Sequence, residues 1–197
     1  MSKGTETRER IVAQAAQLFS RQGYFGSSLS DIMRETGMEK GGIYNHFASK
    51  EQLALESFDY AVSLVQQRIK VALTDKRNAV DRLEALISVF QSLADDPPVA
   101  GGCPVLNTAI EADDAEPALR ERAYNAMQEW RETIRRMVAK GIERGEVRPD
   151  TDGDVLATLL ITSLEGAVMM SKLCNDNTHM YRVVAHLTNY LETSVRV

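Results

Sequence analysis

Residues 27–47, Ser-Ser-Leu-Ser-Asp-Ile-Met-Arg-Glu-Thr-Gly-Met-Glu-Lys-Gly-Gly-Ile-Tyr-Asn-His-Phe, constrain the fold of this chain more than any other stretch. They spell two short helices around a tight turn. Ser28 is a good N-cap, and Asp31 stands three residues on, where a capping-box acid belongs. Leu29, Ile32, Met33 and Thr36 follow the i, i+3, i+4, i+7 rule and give one buried face. Gly37 ends the first helix in the left-handed conformation that glycine adopts cheaply. Met38 plugs the core at the turn. The second helix is unusual, because Lys40, Gly41, Gly42, Tyr44, Asn45 and His46 crowd cationic, hydrogen-bonding and minimal side chains into less than two turns. Only Ile43 and Phe47, four apart, remain to hold it to a core. A helix of this kind is built to lie against a polar surface, and a DNA major groove fits. The segment is a helix-turn-helix.

The flanks agree. Thr7–Gln22 places Ile11, Ala15, Leu18 and Phe19 on one side and stops at Gly23. Ser49-Lys-Glu-Gln52 is a second capping-box pattern, opening a long helix. Three short helices therefore share one small core, and a fourth leaves it.

Residues 8–53 resemble the N-terminal domain of the TetR family of transcriptional regulators, of the TetR/AcrR-like repressor kind. The resemblance rests on Arg10-Ile-Val-Ala-Gln-Ala-Ala-Gln-Leu-Phe19, Gly23-Tyr-Phe25, Asp31-Ile32, Gly37-Met-Glu-Lys-Gly-Gly-Ile-Tyr-Asn-His-Phe47 and Ser49-Lys-Glu51. It implies an all-α, homodimeric repressor: a helix-turn-helix DNA-binding domain over residues 1–50, and a helical effector-binding and dimerisation domain over 51–197. Glu39 departs from the small polar residue that many relatives carry there. A carboxylate at the head of a recognition helix either repels phosphate or accepts from a cytosine amino group, so it bears on base preference.

Charge distribution fits a protein that touches DNA with its head alone. The whole chain carries −5, but residues 1–50 hold seven Lys/Arg against five Asp/Glu, and the other 147 carry a net −7. The hydrophobic fraction of 44% permits a full core. No run of about eighteen apolar residues stands out, so no membrane-crossing helix is expected. The opening Met-Ser-Lys-Gly-Thr-Glu-Thr-Arg has no apolar segment and does not read as a signal peptide. Cys103 and Cys174 form no close metal-type pair, and free thiols in a cytoplasmic setting are expected.

The body reads as helical throughout. Leu55, Phe58, Val62, Val65 and Ile69 step by three and four along Ser49–Leu73, and Val80, Leu83, Ile87, Phe90 and Ala94 repeat the pattern. Residues 95–102 form a break, Pro104–Ala112 a short helix, Asp113–Glu116 a second break, and Pro117 suits a first helical turn. Ala123, Met127, Trp130, Ile134, Met137 and Gly141 line the next long helix, which ends at Gly145–Pro149. Val155–Cys174 is apolar around most of its circumference and must bury more than one side. Gly166 and Ala167 let a neighbouring backbone approach. His179–Ser194 carries one stripe of Met180, Val183, Val184, Leu187 and Leu191. Two such helices per subunit, pairing with their copies in a four-helix interface, satisfy these faces.

Individual residues carry a sharp and a bland reading. Ser28, Lys40, Gly41, Gly42, Tyr44, Asn45, His46 and Lys50 are the candidate DNA contacts. Tyr44 either reaches the DNA backbone or packs on the motif's core. His46 and Lys50 are phosphate contacts or ordinary surface residues. Asn45 presents its amide to adenine or touches only sugar-phosphate. The two glycines cost roughly 1 kcal/mol each against alanine, which close approach to DNA would offset. In the body, Phe90, Cys103, Asn107, Tyr124, Met127, Trp130 and Met137 are the candidate lining for a small hydrophobic or amphipathic effector, the bland alternative being plain core. Cys103 is a buried thiol or a redox- or electrophile-sensing one. Glu165 belongs either at a dimer seam, paired with Lys172 or an arginine, or against a ligand. His179 and His186 lack further ligands, so no metal site is expected, and no cofactor fingerprint appears. A helical enzyme using Cys103 would lack a neighbouring base. A protein-only adaptor would leave the glycine-rich helix unexplained.

Overall fold

The computed structural model describes residues 3–112 and 116–197; the break expected at 113–116 falls outside these except for Glu116. Among the described residues the regular structure is helical, and extended pairing is confined to one isolated antiparallel bridge, Val147 with Arg196. The helices are α1 (Lys3–Gln22), α2 (Leu29–Thr36), α3 (Lys40–Tyr44), α4 (Lys50–Leu73), α5 (Ala79–Asp95), α6 (Pro104–Ala112), α7 (Pro117–Glu143), α8 (Gly153–Cys174) and α9 (Thr178–Tyr190). The expected final helix stops as an α-helix at Tyr190 and continues as one wider π turn, Leu191–Val195. The chain forms two compact units, Met1–Leu64 with Pro98–Asn125, and Val65–Pro97 with Ala126–Val197. Both α4 and α7 contribute residues to each.

The first unit is built around one apolar cluster. Ile11, Val12, Ala15 and Leu18 of α1, Ile32 of α2, Ile43 of α3, Phe47 and Leu53 are all buried in it. Leu29, Met33 and Met38 pack against its edge. Ile43 and Phe47 are 2% and 1% exposed, so the two apolar residues of the recognition segment do anchor it. The capping pattern at the start of α4 is realised with a one-residue offset. Ser49 Oγ accepts from Gln52 N at 3.1 Å, while Gln52 Oε1 accepts from Ala48 N at 2.7 Å rather than from Ser49.

Helix α6 belongs to this unit and is fastened to α1 and the turn that follows it. Gln17 Oε1 accepts from Ala100 N at 2.9 Å, and Asn107 Nδ2 donates to Gly101 O at 2.8 Å. Both carboxylate oxygens of Glu111 accept backbone N–H groups, from Tyr24 at 2.9 Å and from Phe25 at 2.8 Å. Gly23 precedes them with φ +78°, and a Cβ there would stand 2.5 Å from Glu111 Oε1. A glycine is therefore required twice over, by its left-handed backbone and by the carboxylate beside it.

In the second unit α5 is capped by Asn78, whose side chain accepts from Val80 N, and it is buried on several faces. Helix α8 is capped by Asp152 and packs Leu156, Leu160, Ile161, Leu164 and Val168 inward. Met180, Leu187 and Leu191 complete the core from α9 and the π turn. Arg196 locks the chain's end, donating to Glu192 at 2.9 Å, Asp81 at 2.7 Å and Asn78 at 3.1 Å. These acceptors hold its guanidinium well above the usual arginine range.

Two expectations for α8 change. Glu165 is only 5% exposed and sits among the buried residues of its own unit, so it does not lie on a surface seam. The outward face is instead Val155, Leu159, Met169, Met170 and Leu173, with 39–79% exposure, and a Cβ on Gly166 of the same helix would meet nothing within 4 Å. This helix is also, by length and mean hydropathy, apolar enough to cross a membrane, which the sequence reading did not expect. Its inward face is the core of the second unit, which accounts for that apolarity.

Candidate nucleic-acid interface

The helix-turn-helix forms from local capping before any tertiary contact is counted. Ser28 Oγ accepts from Asp31 N at 3.2 Å, and Asp31 Oδ2 accepts from Ser28 N at 2.9 Å and Ser28 Oγ at 2.6 Å. This reciprocal box satisfies two otherwise orphaned groups at the start of α2. The hydrogen bonds from the Ser28 side chain and backbone, with Arg34 adding its own, lower the Asp31 carboxyl to about 2. At the other end Thr36 Oγ1 donates to Ile32 O at 2.7 Å inside the core, and Gly37 turns the chain at φ +63°. Met38, packed on the edge of the core, and Glu39, the N-cap of α3, follow.

Helix α3 then presents its polar side outward. Lys40, Gly41, Tyr44 and Asn45 are exposed, Tyr44 by 40%. The Lys40 ammonium lies over the Tyr44 ring, 5.9 Å from its centroid, which is the distance limit of a cation–π contact. Asn45 is the C-cap and its backbone N–H donates to Gly41 O at 3.0 Å. The two glycines have different causes. A Cβ on Gly42 would lie 2.8 Å from Met38 Cε, so part of its requirement comes from the turn. A Cβ on Gly41 would meet nothing within 4 Å. Nothing inside the protein needs a glycine there.

The other predicted residues divide. His46 is half-buried, its ring 6.4 Å from that of Phe47. Ser28 is exposed, but its hydroxyl is engaged in the capping box. Lys50 is half-buried rather than extended into solvent. Its Nζ donates to Tyr24 O at 2.6 Å and stands 4.2 Å from the centre of the Tyr24 ring, and burial lowers its pKa. Burial also raises the Tyr24 phenol. The peptide of Tyr24 is thus held from both sides, its N–H by Glu111 and its carbonyl by Lys50. Glu111 was not foreseen. In the sequence it is one acid in a short polar run, and only the fold brings it to residues 24 and 25.

Phe90 and Trp130 of the candidate effector set meet edge to face at 5.3 Å. Trp130 is 4% exposed, Met137 is buried and Met127 half-buried, all in the second unit. A pocket of about 150 Å³ there is lined by Ile69, Leu86, Glu129, Trp130 and Thr133 among others. Trp130 Nε1 is buried with no hydrogen-bond partner among the described residues. Cys103, Asn107 and Tyr124 belong to the first unit. Cys103 is fully buried and Tyr124 is 61% exposed on α7. Asn107 lines a narrow pocket of about 40 Å³ with Phe19, Ser57, Phe58 and Glu111.

Comparison with known proteins agrees with this architecture. The family described as "Bacterial regulatory proteins, tetR family" matches residues 11–56, and the "Tetracyclin repressor-like, C-terminal domain" matches residues 79–187. A TetR transcriptional regulator from Chloroflexus aurantiacus is 53% identical over the full length of both chains, with a TM-score of 0.97. A putative transcriptional regulator from Saccharomonospora viridis, solved in complex with choline, is 27% identical over 98% of this chain and 99% of its own, with a TM-score of 0.85. The HTH-type transcriptional repressor DhaR of Mycobacterium sp. (strain GP1) is 29% identical over 86% of this chain and 84% of its own. With both its helix-turn-helix and its C-terminal helices matched, the chain belongs to the tetR family of bacterial regulatory proteins.

Proposed function

We propose that this protein is a homodimeric transcriptional repressor that binds a palindromic operator through residues 28–50 and is released by a small hydrophobic or amphipathic effector. The observation that carries the DNA half is α3 itself. Ile43 and Phe47 fix it in the core, while Lys40, Gly41, Tyr44 and Asn45 face solvent and stand outside the apolar cluster of the head. In a groove, Lys40 and Tyr44 meet phosphate, His46 reaches the backbone at the helix's end, and Asn45 presents its amide to a base edge. Gly41 and Gly42 bring the helix backbone close, and Ser28 aligns α2 across the phosphates. Lys50 acts through Tyr24, holding the turn before α2. A regulator of chromosomal DNA works in the cytoplasm.

Twofold symmetry supplies the second head. The outward face of α8 exposes Val155 and Leu159 near its start and Met169, Met170 and Leu173 near its end, and packing on a second copy of itself would cover them, with Gly166 between the two groups allowing close approach. Such a dimer presents two recognition helices with half-site centres roughly 34–36 Å apart or a multiple of it.

The effector half rests on Trp130. Its buried, unpartnered indole N–H beside a small pocket lined also by Gln66, Ile69, Lys70, Leu86, Glu129 and Thr133 suits an amphipathic ligand that brings a hydrogen-bond acceptor, whereas Phe90, Met127 and Met137 stand outside that lining. A relative solved in complex with choline, a small organic cation, supports a small-molecule effector. A coupling of about 1–3 kcal/mol suffices for a switch, and DNA must weaken the effector by the same factor. Helix α4, with residues in both units, carries the coupling. Titration of the chain's own upstream DNA, with candidate effectors screened for Trp130 quenching and for DNA release, tests both halves. Compounds that release DNA without perturbing Trp130 would remove the effector assignment and leave the operator assignment standing.

A further inference from the structure

The second unit, which carries nearly balanced charge, contains one strongly basic concavity. Lys76, Arg77, Arg82, Arg136, Lys140 and Arg144 line an open groove of about 700 Å³ between the turn after α4 and one face of α7. The α7 members share that face because 133, 136, 137, 140 and 144 recur at helical spacing. These six are more than a third of the sixteen Lys/Arg beyond residue 50, in a stretch whose net charge is −7. Among the described residues none of the six lies within ion-pair distance of a carboxylate, whereas Arg68, Arg122, Arg131, Arg135 and Arg196 all do. The one carboxylate on the groove, Glu146, is committed to the N-terminus of α5, accepting from Ala79 N at 2.7 Å. Arg82 is partly committed too, donating to Leu73 O at 3.3 Å and Lys76 O at 3.1 Å. Arg144 and Arg136 make only 3.4 Å contacts, to Arg77 O and Thr133 Oγ1.

Like charges held together in a concave surface repel, and the single carboxylate in the groove, Glu146, offsets only one of the six. A ligand must carry several negative charges to balance them. Guanidinium groups match phosphate oxygens in paired geometry, and ammonium groups add point charges. The Thr133 hydroxyl already donates to Glu129 O at 2.7 Å, so the cations are the anion's partners, while Met137 and Ala79 put apolar atoms on the wall, which a bare salt ion does not use. The volume falls within the range of small-molecule sites, and its concavity suits a compact ligand better than a duplex.

We propose that this groove binds a polyphosphorylated small molecule, either a nucleotide or a free chain of phosphates, as a second ligand site adjoining the pocket beside Trp130, with which it shares Thr133. The test is calorimetric titration of the full-length protein with tripolyphosphate, with ATP and with sulfate at one ionic strength. Companion measurements use Arg136→Gln/Lys140→Gln and Lys76→Gln/Arg77→Gln proteins whose folding is verified by circular dichroism. Tripolyphosphate binds the wild type well above sulfate, and each double variant loses on the order of tenfold, since each removes two phosphate partners. ATP tighter than tripolyphosphate identifies a nucleotide; equal affinity identifies the phosphate chain alone. Unchanged affinity in both variants, or tripolyphosphate no better than sulfate, overturns the proposal. So does a scrambled duplex that binds through these residues when tripolyphosphate does not, because the groove is then a DNA face. The operator titration of the same variants is unaffected, so failure here is separable from failure of the operator assignment.

Discussion

Glu111, on α6, accepts the backbone N–H of Tyr24, in the turn between α1 and α2, at 2.9 Å, and its second oxygen takes Phe25 N at 2.8 Å. This bond pair joins two segments eighty-six and eighty-seven residues apart in sequence and makes α6 part of the head that carries α3. Hydrogen bonds to a charged acceptor contribute about 1.5–3 kcal/mol, and two backbone donors would lose them together. Glu111→Ala is expected to raise hydrogen-exchange rates at residues 23–27 and to weaken operator binding, with the second unit's protection unchanged. Glu111→Gln is expected to be intermediate, because an amide offers one acceptor oxygen. Unaltered exchange in Glu111→Ala would show that the turn is held by other contacts.

The two glycines of α3 give opposite outcomes. Gly41→Ala places its methyl in open space and is expected to stabilise α3 by up to about 1 kcal/mol. It is also expected to weaken operator binding, because the methyl stands where the DNA approaches. Gly42→Ala presses on Met38 Cε instead and costs stability unless that side chain moves. Thermal unfolding with parallel operator titrations separates the two effects. A Gly41→Ala protein that binds DNA like the wild type would remove the close-approach argument.

The capping box sets an acid limit. The Asp31 carboxyl is lowered to about 2 in the folded state from 3.8, so its contribution to stability is present above 3.8 and lost as pH falls toward 2. Ser28→Ala removes the largest cause of the shift. The melting-temperature gap between wild type and Ser28→Ala is expected to be full at neutral pH and to narrow between pH 3.8 and 2, down to the share of the bond that Ser28 Oγ accepts from Asp31 N. A gap that does not narrow at the acid end would show that the serine acts independently of the carboxylate.

Burying a charge on the outward face of α8 is expected to prevent dimerisation. Leu159→Lys or Gly166→Glu should sediment as monomers with unchanged helical content, because their side chains face away from their own unit. The monomers should also lose operator binding. A dimeric Gly166→Glu protein would put the interface elsewhere.

Much of this was legible in the chain, and the reasons differ by element. Helix-turn-helix boundaries were readable because Ser28, Asp31 and Gly37 act through bonds only a few residues long. Alpha6 and α7 begin at Pro104 and Pro117, as their prolines dictate. Lys50 was legible as a cation at the right place, but not as a donor to Tyr24, since that contact spans twenty-six residues. Glu165 was misplaced because an amphipathic pattern does not say which of two apolar faces turns inward. Glu111 carried no periodic or motif signal at all.

The central claim is that α3 is a DNA-reading surface and not a packing surface. It is tested most directly by fluorescence-anisotropy titration of the upstream operator with wild-type and Lys40→Ala/Tyr44→Ala proteins across a salt series. Both residues are exposed, so the variant is expected to fold and melt like the wild type. The account predicts two protomers per operator and affinity that falls steeply with salt for the wild type. For the variant it predicts weaker binding to every sequence, with a shallower slope from the lost Lys40 phosphate contact. Binding by the variant equal to wild type, or wild-type affinity insensitive to salt, would contradict it.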